Sequence, residues 1–587
     1  MVRRRWPEDR VFYAVIALAV GALSIRLFAL GQRIAHWDEG RVAYWVLRYA
    51  ETGTWTYRPI VHGPFLKHTT RLVFETLGPT DATMRLVVAL VGGLLPLAAL
   101  AFRSPTGERE TWRLDDAETV ALALLLAANP ILVYFSRFLR NDVVLAAFAV
   151  ASLGFLVRAV ETDGGRDVLA SVAFLALAFT TKENVVLYLL SWLGAATLVA
   201  ATAVWRGREE TPPRAFVRRG VRAVGRRAWA WRAPLLAGVG VFGVIVVFFY
   251  APRAGGRGGV GLWAALAGRG SLAVVVGEAT LGSAGSVADV WLSGTTRTHA
   301  YGPYLLHYAV VLLVGAAPLV AFAVVGLLDD RRRSLVAFGG WWGLSAVVGY
   351  PLATDVKAPW LTVHAVVALA FPAAVGLAAV ARRVRAAAAT GDRRVAAIFG
   401  GLLVVAAAHV GVVAVATSYT YPMPDANIVA QSAQPGSDLR PVLDRIETIS
   451  RTHDDGPDVL YYGDLAVAEE SVDDDPPAAA SWYERLPLPW YTERANATVT
   501  SARTPETFPA NPPPVVIVRP RQEAAIADEL DGYRRYERAI FLLPDDRTVS
   551  ILGYERRFGG RSLVFYVERD GATDAGSDGT GYGRGIG

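Results

Sequence analysis

Two acidic residues near the start of the chain are the first candidates for chemistry. Asp38 and Glu39 stand in the run Trp37-Asp38-Glu39-Gly40-Arg41, shortly after the first long apolar segment, residues 11–30. A helix that leaves a membrane meets water at this point, so the pair is expected at the level of the lipid headgroups. A carboxylate there can act as a base or hold hydroxyl-bearing and cationic groups. We therefore predict chemistry on a membrane-borne substrate.

Three further segments carry charged residues beside the ends of apolar runs. They are 134–142 with Arg137, Arg140 and Asp142, 181–184 with Lys182 and Glu183, and 355–360 with Lys357 before Pro359 and Trp360. Together with Lys67, the lysines of these segments fall on one predicted face of the membrane, and a compact ammonium in a chain that otherwise uses arginine favours a phosphate contact. Each segment also has a plain structural reading as a helix cap, a solvated turn or a local ion pair.

Two histidines complete the candidate site. His62 lies in the loop 31–83 and His299 in the loop 252–303, and a lone interfacial histidine is more often simply hydrogen-bonded. Asp38, Glu39, Asp142 and His62 offer oxygen and imidazole ligands to a divalent metal, but the predicted chemistry needs no ion. The sequence thus requires no cofactor and leaves a divalent metal as an alternative.

The elements that position these residues are membrane spans. The chain is 53% hydrophobic with a mean hydropathy of +0.33, and its apolar runs are long enough to cross a bilayer, which predicts a polytopic α-helical membrane protein. It contains no cysteine, so disulfides and thiolate metal sites are excluded. We predict eleven spans, at 11–30, 84–102, 117–135, 143–160, 167–181, 184–205, 233–251, 304–328, 335–353, 359–381 and 396–417.

The arginines predict the orientation of these spans. With the N-terminus in the cytoplasm, the basic loop 206–232 and the clusters at 331–333 and 382–385 all fall inside. They are interpreted as topology anchors and not as nucleic-acid patches. An odd number of spans then places everything after residue 417 outside the cell membrane.

Residues 1–417 are predicted to form a membrane domain, and the part of the chain that follows is predicted to form a separate domain. Beyond Ser418 there are 28 acidic side chains, 17 arginines and no lysine. Runs at 458–462, 514–518 and 562–567 are typical of buried strands and Glu523–Tyr536 of a helix, which predicts a small extracytoplasmic α/β domain at 418–570. The Gly-rich tail 571–587 is predicted to be disordered. The acidic, lysine-poor composition favours a salt-adapted prokaryote such as a halophilic archaeon.

Five short motifs together resemble a known class of membrane enzyme. They are Trp37-Asp38-Glu39-Gly40-Arg41, His62-Gly63-Pro64-Phe65, Ser136-Arg137-Phe138-Leu139-Arg140-Asn141-Asp142, Lys357-Ala358-Pro359-Trp360 and Leu488-Pro489-Trp490-Tyr491. The pattern resembles the GT-C glycosyltransferases of the dolichyl-phosphate-mannose protein mannosyltransferase superfamily, which is glycosyltransferase family 39-like. Within it, the chain is similar over most of its length to the archaeal flippase-activity-associated membrane protein family.

The resemblance implies a reaction and roles for residues. A sugar would pass with inversion from a polyprenyl (dolichyl)-phosphate donor to a protein or lipid-linked glycan acceptor outside the membrane, in archaeal protein glycosylation. Asp38 would be the catalytic base, oriented by Glu39 and Arg41, and Asp142 the second acidic residue of the site. The departing lipid phosphate would be neutralised by cations, namely Lys357 and Arg137 or Arg140.

One motif departs from the family pattern. Related enzymes place Lys-Pro-Pro where this chain has His62-Gly63-Pro64, so the phosphate contact at this position passes to Lys67.

A different class of function is compatible with the same motifs. The chain would then be a lipid-linked oligosaccharide flippase or a non-catalytic flippase-associated subunit. Transporters often contain paired repeats and charges at the membrane midplane, whereas this sequence has no evident repeat and its charged clusters lie at span ends. This difference favours the enzyme.

Overall fold

The computed structural model describes residues 9–59, 63–207, 213–256, 259–292, 300–354, 357–422, 427–430, 433–468, 470, 480–543, 549–551, 554–556 and 559–569. The chain divides into two compact units, which we call the membrane unit, residues 1–33 and 46–431, and the C-terminal unit, residues 34–45 and 432–587. This division differs from the predicted boundary after residue 417, and it also places the acidic segment in the C-terminal unit. His62, His299 and the predicted disordered tail lie outside the described residues.

Helices make up the membrane unit. They are α1 Arg10–Leu27, α2 Trp37–Thr52, α3 Phe65–Leu77, α4 Thr83–Leu94, α5 Asp116–Ala128, α6 Pro130–Phe135, α7 Asp142–Thr162, α8 Gly165–Thr181, α9 Val185–Gly207, α10 Pro213–Ala230, α11 Arg232–Tyr250, α12 Leu262–Leu266, α13 Leu272–Gly277, α14 Ser283–Leu292, α15 Tyr301–Asp330, α16 Ser334–Ala353, α17 Thr362–Thr390 and α18 Arg393–Val415. Helix α2 begins in the C-terminal unit and ends in the membrane unit. The helical spacing of Trp37, Arg41, Tyr44 and Arg48 in the sequence predicts a helix over these residues, and α2 confirms it.

Nine helices within the described residues are long and apolar enough to cross a membrane. They lie at Arg10–Leu27, Thr83–Phe102, Asp142–Thr162, Val185–Arg206, Arg232–Tyr250, Tyr301–Asp330, Ser334–Ala353, Pro359–Thr390 and Arg393–Thr420. The other two predicted spans contain shorter helices, because 117–135 is divided between α5 and α6, and α8 has 17 residues. The count of eleven spans stays a prediction.

The break between α5 and α6 has a local cause. Asn129 has extended backbone angles and its side chain accepts hydrogen bonds from the amides of Ile131 and Leu132, so it ends one helix and caps the next. Pro130 follows at the first position of α6, where its missing amide hydrogen costs nothing. Since proline also disfavours a helical conformation in the residue before it, the Asn-Pro pair divides the span.

Burial separates the inner spans from the outer ones. The span Pro359–Thr390 is the most buried of the nine, whereas Arg393–Thr420 and Arg232–Tyr250 have almost no fully buried side chains. Exposed apolar helices are expected where lipid, not water, is the surrounding solvent. Helix α17 therefore forms the centre of the membrane unit.

The C-terminal unit contains a mixed sheet. Its strands are β1 Val459–Tyr462, β2 Val499–Ala502, β3 Val515–Val518, β4 Tyr533–Leu543, β5 Val549–Ile551, β6 Tyr554–Arg556 and β7 Gly559–Glu568, and its helices are α19 Arg440–Thr452, α20 Ala480–Glu484 and α21 Leu488–Arg494. The main sheet has the order β2-β1-β3-β7-β4, and β5 pairs with β6. Strand β1 runs parallel to β2 and β3, and β7 runs antiparallel to β3 and β4. The three predicted strands are confirmed as β1, β3 and β7.

The predicted helix Glu523–Tyr536 is wrong. The chain forms two short 3₁₀ turns, Pro520–Ala525 and Ala527–Leu530, and then enters strand β4 at Tyr533. Strand β4 pairs with β7 from Tyr533 to Leu543, with one register shift between Ala539 and Phe541. Ladder bonds and a cross-strand packing partner stabilise this stretch more than local helix propensity does, because β-pairing depends on residues far away in sequence.

Candidate active site

The acidic segment begins helix α2 and is fixed by its own side chains. Glu39 Oε2 accepts a hydrogen bond of 2.9 Å from the backbone amide of His36, and His36 Nδ1 accepts one of 3.0 Å from the amide of Asp38. This arrangement is like a capping box, in which residues at the helix start satisfy each other's free amides. Glu39 is fully buried. Its carboxylate therefore holds the helix start.

Asp38 keeps a partly accessible carboxylate in the same turn. Its side chain is 29% exposed and pairs with Arg41, whose Nη2 donates to Asp38 Oδ1 at 3.1 Å. The Arg41 guanidinium lies 4.8 Å from the centre of the Trp37 ring. A negative charge in the first turn is also favoured by the helix dipole. The predicted orienting residue Arg41 thus contacts the predicted base Asp38.

Asp142 lies in a different environment, buried in the membrane unit. Its side chain is 1% exposed, and Asp142 is the first residue of helix α7. Lys182 Nζ donates to Asp142 Oδ1 at 2.8 Å, His364 Nε2 lies 3.3 Å from the same oxygen, and Arg140 Nε lies 3.7 Å from Oδ2. A buried carboxylate needs such partners, since desolvating an unpaired charge is costly. Three of the predicted site residues therefore form one ionic cluster.

His364 is the site residue that sequence reasoning missed. Its Nδ1 is 2.8 Å from the Tyr188 hydroxyl, and its ring stacks on Tyr350 with centroids 4.5 Å apart. The imidazole thus lies between the Tyr188 hydroxyl at Nδ1 and the Asp142 carboxylate near Nε2. The signal was present, because an ionisable residue inside a membrane span is a functional candidate by default.

The first loop and the turn that carries Lys182, which are predicted to lie on the same face of the membrane, are in contact within the membrane unit. The Gly63 amide donates to the Thr181 carbonyl at 3.0 Å, and a Cβ on Gly63 would lie 2.4 Å from the carbonyl oxygen of Thr180. Only glycine permits this approach of the first loop to the Lys182 turn. The Tyr57 hydroxyl donates to Glu183 Oε1 at 2.7 Å, and burial together with that carboxylate raises the pKa of Tyr57.

The segment around Lys357 joins the same cluster through its aromatic residue. The Arg140 guanidinium lies 3.8 Å from the centre of the Trp360 ring. The Tyr304 hydroxyl accepts from the amide of Ala358 at 2.8 Å, so the backbone beside Lys357 is held in place. Lys357 itself is exposed, which leaves its ammonium accessible to an anion.

Two other predicted cations are placed differently. Lys67 is buried within α3. Arg137 donates to the carbonyls of Arg26, Phe28 and Ala29, which lie at and beyond the last turn of α1. Burial lowers the pKa of Arg137 to about 10. Those carbonyls have no partner within the helix, so Arg137 has a structural task as a helix cap.

The described part of the chain contains no group of three or more His, Asp or Glu side chains able to hold a metal ion. The metal alternative included His62, which lies outside that part. Each unit therefore holds one candidate carboxylate. Asp38 in the C-terminal unit is partly accessible and paired with Arg41, and Asp142 in the membrane unit is buried and paired with Lys182.

Two family models match parts of the sequence. Residues 61–209 match the model described as dolichyl-phosphate-mannose-protein mannosyltransferase, and residues 439–572 match the model described as Agl23 flippase-associated protein C-terminal domain. A search of curated protein sequences finds no match.

Several solved structures have a fold similar to that of this chain. ArnT from Cupriavidus metallidurans in the apo state has 17% identity and a TM-score of 0.53, with 94% of this chain and 97% of that chain covered. The same protein bound to undecaprenyl phosphate has a TM-score of 0.51 at 17% identity and the same coverage. The apo oligosaccharyltransferase from Archaeoglobus fulgidus has 12% identity and a TM-score of 0.50, with 91% and 74% covered. The chain thus has a GT-C fold and resembles the PMT-like membrane glycosyltransferases.

Proposed function

We propose that this protein is a membrane glycosyltransferase that transfers a sugar from a polyprenyl-phosphate-linked donor to an acceptor on the extracytoplasmic face. The observation that carries the proposal is the Asp38 carboxylate, which is fixed at a helix start, paired with Arg41 and still partly accessible. The match of residues 61–209 to the mannosyltransferase family and the GT-C fold support the same reaction class.

In the proposed reaction Asp38 is the general base. The acceptor group attacks the anomeric carbon of the donor sugar through an oxygen or a nitrogen atom. Asp38 takes the proton from that atom during the attack. The bond between this carbon and the phosphate oxygen breaks, and its electron pair leaves with the polyprenyl phosphate. Attack opposite the leaving group inverts the configuration of the anomeric carbon.

The leaving phosphate gains negative charge and needs cations. Lys357 is exposed beside Pro359 and Trp360, residues that favour the headgroup level, and Arg140 lies against the Trp360 ring. Fixed cations near a developing phosphate charge stabilise the transition state strongly in a poorly hydrated site. We assign the phosphate contact to Lys357, with Arg140 as support. Arg137 is given a structural task because its guanidinium is bound to three backbone carbonyls.

Asp142 is proposed to order the site and not to react. Its contacts with Lys182 and His364 link α7, the turn after α8 and α17, and thereby fix the segments that carry Arg140 and Lys357. A rigid arrangement of this kind is what positions catalytic groups within a fraction of an ångström.

A second candidate function is a non-catalytic flippase-associated subunit. The observation in its favour is the match of residues 439–572 to the C-terminal domain of a flippase-associated protein. Such a subunit would bind the lipid-linked sugar without transferring it, so the rate of transfer separates the two candidates.

The test is transfer from a radiolabelled polyprenyl-phosphate sugar in membranes that contain the full chain. Asp38→Asn keeps the shape of the side chain but removes the base, and we expect transfer to fall by about 100-fold or more with folded protein retained. Glu51→Gln, an exposed change at the other end of the same helix, is the matched control and should transfer like the parent. Full activity of Asp38→Asn would remove the base, and no transfer by the parent with several donors would favour the flippase-associated role.

The phosphate contact has its own test in the same assay. Lys357→Ala should raise the donor concentration needed for half-maximal transfer about tenfold, which corresponds to about 1.4 kcal/mol. Lys357→Arg keeps the charge but changes its shape and should recover part of the loss. The side chain is exposed, so neither change should affect folding. Unchanged donor dependence in Lys357→Ala would exclude this lysine from the donor site.

A further inference from the structure

The acidic segment is part of the C-terminal unit, although most of that unit lies far away in sequence. Residues Ile34–Trp45 form one compact body with Ser432–Gly587. The contact between Ala35 and Tyr491 joins residues 456 positions apart. The proposed base therefore stands on a segment whose surroundings are supplied by the end of the chain.

Three backbone groups directly before Asp38 are hydrogen-bonded to this unit. The amide of Ala35 donates to the Tyr491 hydroxyl at 2.8 Å, Gln434 Nε2 donates to the carbonyl of Ile34 at 3.2 Å, and the amide of Trp37 donates to the carbonyl of Ala433 at 3.2 Å. The segment has backbone anchors at three of the four residues that precede Asp38. Such anchors restrict where the first turn of α2 can lie.

Side chains fix the other side of the same turn. The Trp37 ring stacks on Tyr483 with centroids 6.1 Å apart, and Trp37 Nε1 donates to the Tyr483 carbonyl at 3.1 Å. Gly40 lies so close to Pro487 that an added Cβ would come within 2.6 Å of the proline Cβ. The residues on either side of Asp38 are thus held by the stretch 483–491.

We infer that the C-terminal unit positions the catalytic base, and that Tyr491 is a positioning residue acting through Asp38. This inference rests on the proposed role of Asp38. Tyr491 is buried on α21, and its ring is flanked by the guanidinium groups of Arg494 at 5.2 Å and Arg440 at 5.9 Å, so the hydroxyl is held in one place. A small displacement of a catalytic group, of about 1 Å, can lower a rate by about 100-fold.

The test is Tyr491→Phe in the full chain, which removes the hydroxyl and keeps the ring. We expect the turnover number for sugar transfer to fall about tenfold or more while the donor concentration for half-maximal rate stays unchanged. The matched control is Tyr533→Phe, which also removes a tyrosine hydroxyl from a backbone contact in this unit, here with the carbonyls of Pro512 and Pro513. That variant should transfer like the parent.

A double variant separates positioning from general loss of structure. If Tyr491 acts through Asp38, adding Tyr491→Phe to Asp38→Asn should lower the residual rate less than twofold, because the effects of coupled residues do not add. A further tenfold loss in the double variant, or a parental turnover number for Tyr491→Phe alone, would overturn the inference.

Amide hydrogen exchange tests whether Tyr491 holds the segment 34–45 in place, independently of catalysis. Exchange of the segment 34–45 should be faster in Tyr491→Phe than in the parent and in Tyr533→Phe. This result would stand even if the parent transferred no sugar, in which case the proposed function fails and the structural coupling survives. Unchanged exchange in Tyr491→Phe would remove Tyr491 as the positioning residue.

Discussion

The charges around Asp142 decide whether it is stable as a buried anion. Asp142 and Lys182 are both almost inaccessible, at 1% and 6% exposure of their side chains, and lie 2.8 Å apart. Neither charge is hydrated, so each depends on the other and on His364 at 3.3 Å. A buried pair of this kind contributes little net stability when intact, but breaking it leaves one charge without compensation.

Removal of the lysine should therefore destabilise the membrane unit. We expect Lys182→Met to lower the free energy of unfolding by about 3 kcal/mol, because it leaves the Asp142 carboxylate buried without its nearest cation. Thermal unfolding in detergent, monitored by loss of the peak of folded protein in size-exclusion chromatography, measures this change.

The matching variants make that prediction specific. Asp142→Asn combined with Lys182→Met removes both charges and should regain most of the lost stability. Lys357→Met deletes an exposed lysine and should melt like the parent. A Lys182→Met protein that melts with the parent would mean that His364 and Arg140 alone satisfy Asp142.

At the scale of single elements, the start of α2 shows how a helix cap serves the site. The Glu39 carboxylate accepts a hydrogen bond from the amide of His36, and Asp38 in the same turn accepts one from Arg41. Loss of a helix cap typically costs about 1 kcal/mol. We therefore expect loss of this cap to affect the position of Asp38 more than the stability of the protein.

Two substitutions separate a capping role of Glu39 from a catalytic one. Glu39→Gln retains an oxygen that can accept from His36, and we expect its transfer rate to stay within about threefold of the parent. Glu39→Ala removes the acceptor and should lower the rate about tenfold or more, because the first turn of α2 loosens. Initial rates of sugar transfer measure both. Equal losses in the two variants would mean that the charge of Glu39 takes part in the reaction.

The elements also show what the sequence could predict. Nine of the eleven predicted spans coincide with long apolar helices of the described residues, and the spacing of Trp37, Arg41 and Tyr44 predicted α2, because both patterns are local. The helix predicted at 523–536 was wrong because the partner of β4 is the distant strand β7. The division of the predicted span 117–135 into two helices was missed, although the pair Asn129-Pro130 is a sequence signal for a helix boundary.

Site residues could be predicted only where a charged side chain requires a partner of opposite charge. Asp142 and Lys182 were both predicted as site residues and are in contact. His364 was missed because it stands alone inside the apolar run of the predicted span 359–381, where no neighbouring charged residue marks it. The structural role of Arg137 could not be inferred from the sequence. Its acceptors are backbone carbonyls at the end of α1, and every residue type has such a carbonyl.

At the scale of the whole molecule, charge is distributed unequally along the chain. The stretch after Ser418 has 28 acidic residues and 17 arginines, although the complete chain has a net charge of +6. The described helix α10, Pro213–Ala230, has arginines along its length and exposes Val217, Val221 and Trp229. Basic segments next to spans are retained in the cytoplasm. We therefore propose that α10 is cytoplasmic and the C-terminal unit extracytoplasmic.

The sequon Asn496-Ala497-Thr498 adds a natural reporter of that orientation. Asn496 is exposed and has a φ of +56°, a left-handed conformation that asparagine tolerates better than most residues. An exposed asparagine in a turn is accessible to a glycosylating enzyme if the C-terminal unit is outside. We expect a glycan at Asn496, detected by mass spectrometry of the purified protein and absent from Asn496→Gln.

The absence of cysteine allows a direct test of the orientation. Single-cysteine variants have no competing thiol, because the natural chain contains none. Glu529→Cys is exposed in the C-terminal unit and Gly220→Cys is exposed on α10 with no atom near its Cβ, so both should fold normally. We expect a membrane-impermeant maleimide added to intact cells to label Glu529→Cys, and to label Gly220→Cys only after the membrane is made permeable. The parent, which has no thiol, is the control for background labelling. Labelling of Gly220→Cys in intact cells together with protection of Glu529→Cys would reverse the orientation, and it would place the proposed base on the cytoplasmic side with the C-terminal unit that holds it.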